Sequence, residues 1–191
     1  MKTYENELDE MIDVVVKLIW NYTIICKFFE KKEIYTQVRE AHPQFFITMY
    51  ESLLCSLCVT IDLLFCKKQK ATSLSNLIKD IEVSKPEFAK KLNEKISLKD
   101  GLIEKIGGIR NQVCAHRWEA KTPQEVFAEA DVRLNMIKEI ADLAQLIVGE
   151  LAEEAGGNRR ENMEQLKLNR ETLQFTEDSA TRVMTAFAET L

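Results

Sequence analysis

Proline and glycine are scarce in this 191-residue chain, at three and six residues. Alternating apolar and polar runs bounded by turn dipeptides are missing throughout, which argues against strands and predicts an all-α fold. An excess of positive charge is also missing. The formal net charge is −5 and the pI about 5.3, whereas a nonspecific nucleic-acid binder is usually basic, so a broad phosphate-binding surface is not expected. Cysteines are few and odd in number: Cys26, Cys55, Cys58, Cys66 and Cys114. No signal peptide precedes Met11, so the thiols are expected reduced in a cytoplasmic protein. The Cys55-Ser-Leu-Cys58 spacing lacks the two further ligands a metal site would need, and these thiols are read as part of the core. No internal repeat or low-complexity segment is present.

What the chain does have is helical periodicity. Its length suits one substantial core, assigned to residues 1–155, with an extension over 156–191 that carries a weak apolar pattern and a last helix over 179–190. Leu8, Met11, Ile12, Val15, Leu18, Ile19, Tyr22 and Ile25 recur at intervals of three and four, giving a first helix over 4–29. A shorter helix over 31–41 ends before Pro43, which suits the first turn of a helix over 43–66. That helix is apolar enough to raise the question of a membrane. Glu51 and Asp62 lie inside it, however, and a central helix of a bundle, apolar nearly all round, is expected instead. Thr72-Ser73 caps a helix ending near Ile81, and Pro86 opens another to Ile96. Ser97 with Asp100 reads as a capping pair for a helix over 98–117. Thr122-Pro123-Gln124-Glu125 opens a final long helix that carries apolar residues from Val126 to Leu151 and stops at Gly156-Gly157.

The helix over 98–117 carries the chemistry. Leu102, Ile106, Ile109 and Val113 form its apolar stripe, and Arg110 lies beside that stripe. His116, one of only two histidines, follows six residues later. A permanent cation and a ring that titrates near neutral pH can together handle a phosphodiester without a metal or other cofactor. On an ideal α-helix the two side chains project ~120° apart. They would flank a groove, and two copies of the chain facing across a two-fold axis would close it. Gly107-Gly108 reads either as a close approach to the backbone or as a kink. Arg117 and Lys121 belong to a local basic excess that could steer phosphate, and Trp118 reads as a lid over the core. Asp62, an acid in an apolar helix, needs a partner: Arg110, His116, or a surface lysine such as Lys67 or Lys68.

The stretch Ile109-Arg110-Asn111 to Ala115-His116-Arg117 resembles the Arg-polar-(X)n-His signature of the HEPN superfamily. With Thr60-Ile61-Asp62-Leu63-Leu64 and Ser73-Leu74 it looks like the abortive-infection U-type branch, over about residues 4–151. The resemblance implies a HEPN-like bundle of long antiparallel helices. It also implies a homodimeric, metal-independent endoribonuclease acting on RNA in phage defence or as a toxin. Arg110, His116 and Asn111 would be the catalytic residues, with Arg117 and Lys121 at the substrate. An antitoxin is an implied partner. Related toxins are silenced by nucleotide transfer to a tyrosine two residues after the histidine; here that position is Trp118, which offers no oxygen. A non-catalytic nucleotide- or RNA-binding module and a helical adaptor fit the same residues.

Overall fold

The computed structural model describes residues 4–28, 33–67, 72–115, 121–155 and 182. Among these the regular elements are helices, and no strand occurs. In chain order they are α1 (Tyr4–Phe28), α2 (Glu33–Ala41), α3 (Pro43–Phe65), α4 (Leu74–Glu82), α5 (Pro86–Ser97) and α6 (Asp100–Arg110), followed by a π-helical turn (Asn111–Ala115), α7 (Pro123–Glu129) and α8 (Leu134–Ala155). The extension expected over 156–191, with its last helix, lies outside the described residues apart from Arg182.

The ends of these helices follow from side-chain chemistry. Ser73 caps α4 by accepting a hydrogen bond from the Asn76 backbone N–H at 3.3 Å, and its own hydroxyl donates to the Cys66 carbonyl at 2.6 Å. Thr122 and Glu125 form a reciprocal capping box at the start of α7. Prolines occupy the first turns of α3, α5 and α7, where a missing N–H costs nothing.

Contacts between helices fix their directions. The end of α1 meets the start of α3 in an edge-to-face pair, Phe28 on Phe46, while Asn21 donates to Ser56 further along. α1 and α3 therefore run antiparallel. Tyr4 lies beside Ala155 and Tyr22 near Asp142, so α1 also runs antiparallel to α8. Lys67 pairs with Asp100 at 3.8 Å and Asp62 with Arg110, which sets α6 antiparallel to α3. The expected bundle of long antiparallel helices is what the chain forms. Its core is apolar, with Leu8, Met11, Leu18, Leu57, Ile61, Leu64, Ile137 and Ile147 among the fully buried side chains. Each such side chain contributes ~1.5–3 kcal/mol by leaving water. Outside the core, lysines on α5 and just beyond either end of it reach acids on α8: Lys85 pairs with Glu154, Lys95 with Glu150, and Lys99 with Glu139.

Several expectations need correction. The helix expected to run unbroken from Pro123 to the Gly156-Gly157 stop divides into α7 and α8, because Asp131 adopts a left-handed φ of 49°. The Val132 N–H then reaches the Phe127 carbonyl and the Asp131 N–H the Ala128 carbonyl, a Schellman end sealed by the buried pair Phe127 and Val132. Ser97 does not open α6. It is the last residue of α5 and its hydroxyl donates to the Glu94 carbonyl, so Lys99 is left as an N-cap that makes no side-chain bond. α3 is long and apolar enough to cross a membrane by length and composition alone. It is not enclosed all round: Leu54, Leu57, Ile61 and Leu64 are buried, whereas Phe45, Ile47, Val59 and Leu63 are exposed.

Reduced thiols hold for Cys26, Cys58 and Cys66, but Cys55 is disulfide-bonded. Cys55 lies two turns before Asp62, on the half-buried side of α3 that meets α6 and the π-helical turn, whereas Cys58 points into the core. Burial pushes the Cys58 thiol up to about 12, so at neutral pH it is a small core residue and not a nucleophile.

Candidate functional site

α6 is positioned by two fully buried residues, Ile106 and Ile109, with Leu102 and Val113 packed at the edge of the same core. Arg110 follows Ile109 directly, so it leaves the buried face at its rim, as its place beside the apolar stripe predicts. Its side chain is 37% exposed. The guanidinium Nε stands 3.7 Å from Asp62 Oδ2 on α3, and Nη1 donates to Asn111 Oδ1 at 2.8 Å. Among the described residues Arg110 is the partner Asp62 takes, while Lys67 pairs with Asp100; Lys68 and His116 lie outside them. At this exposure the ion pair contributes only ~0–1 kcal/mol, so its consequence is orientation more than stability. A cation at the last residue of α6 also suits the negative end of the helix dipole.

The helix expected over 98–117 does not stay α-helical. It changes at Asn111 into a single π-helical turn that ends at Ala115. Such turns insert a residue into the helical register and often mark functional sites. The sequence carried no warning of this. An inserted residue shifts the apolar pattern after it, and here the pattern ends at Val113, with nothing beyond to fall out of step. The glycine pair is not the kink that one reading of it predicts. A Cβ on Gly107 would stand 3.7 Å from Asp62 Oδ1, ordinary contact, and one on Gly108 would meet nothing within 4 Å. Both lie inside α6, so they mark no boundary between two helices, and no side chain among the described residues crowds them.

Arg110 and Asn111 are therefore brought together and joined by a hydrogen bond. His116, Arg117 and Trp118 lie outside the described residues. Lys121 donates to Glu129 Oε2 at 2.8 Å at the entry to α7. Among the described residues no group of three or more His, Cys, Asp or Glu side chains could hold a metal ion.

Beside the Arg110–Asp62 pair, α3 and α6 enclose a cleft of about 470 Å³ lined by Asp62, Phe65, Lys67, Asp100, Glu104 and Gly107. Three carboxylates face one ammonium there, so a phosphate is repelled. Arg110 does not line this cleft, so an anion would meet its guanidinium outside it. The guanidinium has N–H groups beyond the one given to Asn111, in a planar fork that matches two phosphate oxygens. The arrangement can thus bind and neutralise one phosphate at the start of the π-helical turn, where Arg110 stands six residues before His116 in the sequence.

A family model described as AbiU2, of the HEPN group, matches residues 1–175. No curated protein and no solved structure matches the chain.

Proposed function

The chain belongs to the AbiU2 family of HEPN proteins, and from that premise we propose that it is a metal-independent endoribonuclease of the abortive-infection or toxin type. The observation that carries the reading is the half-exposed Arg110 guanidinium, set between Asp62 and Asn111 at the head of the π-helical turn that leads to His116.

In this mechanism RNA supplies its own nucleophile. The ribose 2′-oxygen attacks the adjacent phosphorus, the bond to the 5′-oxygen breaks, and that oxygen leaves with a proton. The products are a 2′,3′-cyclic phosphate and a 5′-hydroxyl end. His116 activates the 2′-hydroxyl or protonates the leaving oxygen, a task suited to a group that titrates near neutral pH. Arg110 stabilises the charge that develops on the phosphate, and Asn111 orients it. Arg117 and Lys121 steer the backbone inwards. A single copy presents Arg110 on an open surface, and a second copy across a two-fold axis closes the groove into a site that excludes water. The protein acts in the cytoplasm without a membrane, and an antitoxin is the partner that restrains it.

Incubation of the purified protein with RNA in the presence of a chelator tests this. Fragments ending in a cyclic phosphate are expected, and a strand carrying 2′-deoxyribose at the cleavage site should resist. Cleavage of that substituted strand at the same position would rule the mechanism out.

A further inference from the structure

We propose that Asp62 is a positioning residue for Arg110, an inference that rests on the ribonuclease reading above. From Phe45 to its end α3 contains two acids, Glu51 and Asp62, in an otherwise apolar and hydroxyl-bearing run. Asp62 stands on the side of α3 that meets α6, beside the buried Ile61. At 42% exposed its ion pair adds little to stability, so its place is not explained by packing. Lys67, one and a half turns on, is taken by Asp100.

The geometry gives Asp62 a directional task. Its carboxylate sits by the Nε edge of the guanidinium at 3.7 Å, too far for a hydrogen bond but close enough to attract. Asn111 Oδ1 accepts from Nη1 at 2.8 Å. These two restraints come from different elements, one across the bundle and one from the next residue along the chain. Together they fix the plane of the fork and leave Nη2 and the second Nη1 proton free among the described residues. That end of the fork can engage two phosphate oxygens together. A long arginine side chain would otherwise lose its rotamer freedom when the phosphate arrives. Here the restraint precedes the substrate, and the benefit falls on the step where charge develops.

Asp62→Asn keeps the side chain's size and removes its charge. We expect kcat for RNA cleavage to fall roughly tenfold, short of the ~10²-fold that a 1 Å misplacement costs, with KM and the melting midpoint little changed. Asp62→Glu, whose carboxylate still reaches the guanidinium, should recover part of the loss. The Arg110 side-chain Nε–H resonance, identified by its disappearance in Arg110→Lys, should report a more mobile group in Asp62→Asn than in the parent. If Asp62→Asn matches the parent in kcat and in Arg110 mobility while Arg110→Ala is inactive, the positioning role is wrong and the ribonuclease reading stands. If the parent leaves RNA intact, or Arg110→Ala cleaves as well as the parent, the ribonuclease reading fails and this inference falls with it.

Discussion

α4 and α6 are short helices of nearly equal length, and they are built on opposite terms. α4 has a side-chain cap in Ser73, no glycine, and four buried residues, Leu74, Leu77, Ile78 and Ile81. α6 has an N-cap that makes no side-chain bond, three glycines at 101, 107 and 108, and two buried residues, Ile106 and Ile109. α4 ends in an ordinary turn, whereas α6 passes into a π-helical turn directly after Arg110. The contrast teaches where stability is made and where it is given up. The helix that only packs is locally consistent at every level. The helix that carries the guanidinium is held by two residues and departs from the α-helical rule at the site itself, where such departures are expected in functional proteins.

The sharpest way to break this contrast is Ser73→Ala. Ser73 is fully buried, caps α4, and ties it to the end of α3 through the Cys66 carbonyl. Its loss should lower the unfolding free energy by about 1–3 kcal/mol in denaturant titrations. A loss within error would mean that α4 owes nothing to its cap.

Gly108→Ala probes the other side, and its effect should have the opposite sign. A Cβ there meets nothing within 4 Å, so the substitution should raise stability by about 0.5–1 kcal/mol. Destabilisation would show that α6 needs that glycine after all. A stabilised variant with impaired RNA cleavage would place a partner or the substrate on that face.

Glu125→Gln gives the smallest effect and refines the comparison with a second capped helix. The Thr122 backbone N–H, and after it the Thr122 hydroxyl, hold the Glu125 carboxyl below its ordinary range. Its folded pKa is thus depressed. The carboxylate's contribution is complete above its unfolded value of about 4.3 and is lost as the pH falls through the folded one. The variant should melt below the parent at neutral pH, with the gap closing in acid. A gap that does not change with pH would contradict the role given to this carboxylate.

Much of the fold was legible because the signals were local. Ser73, Pro43, Pro86 and the Thr122-Pro123-Glu125 start each act within one turn of their own position, and all four elements begin where these residues say. What the sequence left unread needed a neighbour. Ser97 had two possible helices to serve, and the geometry of the α5 end decided which. Asp131 takes a left-handed conformation that glycine usually fills, because the burial of Phe127 and Val132 compensates. Asp62 had several candidate cations, and among the described ones the antiparallel crossing of α3 and α6 gives it Arg110 and leaves Lys67 to Asp100. The same crossing places Cys55 on the α6 side, where it is disulfide-bonded instead of joining the core thiols. At the candidate site, the Arg110–Asn111 pair was readable as a motif, while the π-helical turn behind it was not.

The account turns on one fork and one imidazole acting on a scissile phosphate. Parent, Arg110→Ala and His116→Ala proteins incubated side by side with the same RNA, with chelator present, test that most directly. The account predicts that the parent cuts and that both variants leave the RNA whole while melting near the parent's temperature. Equal cutting by all three would contradict it.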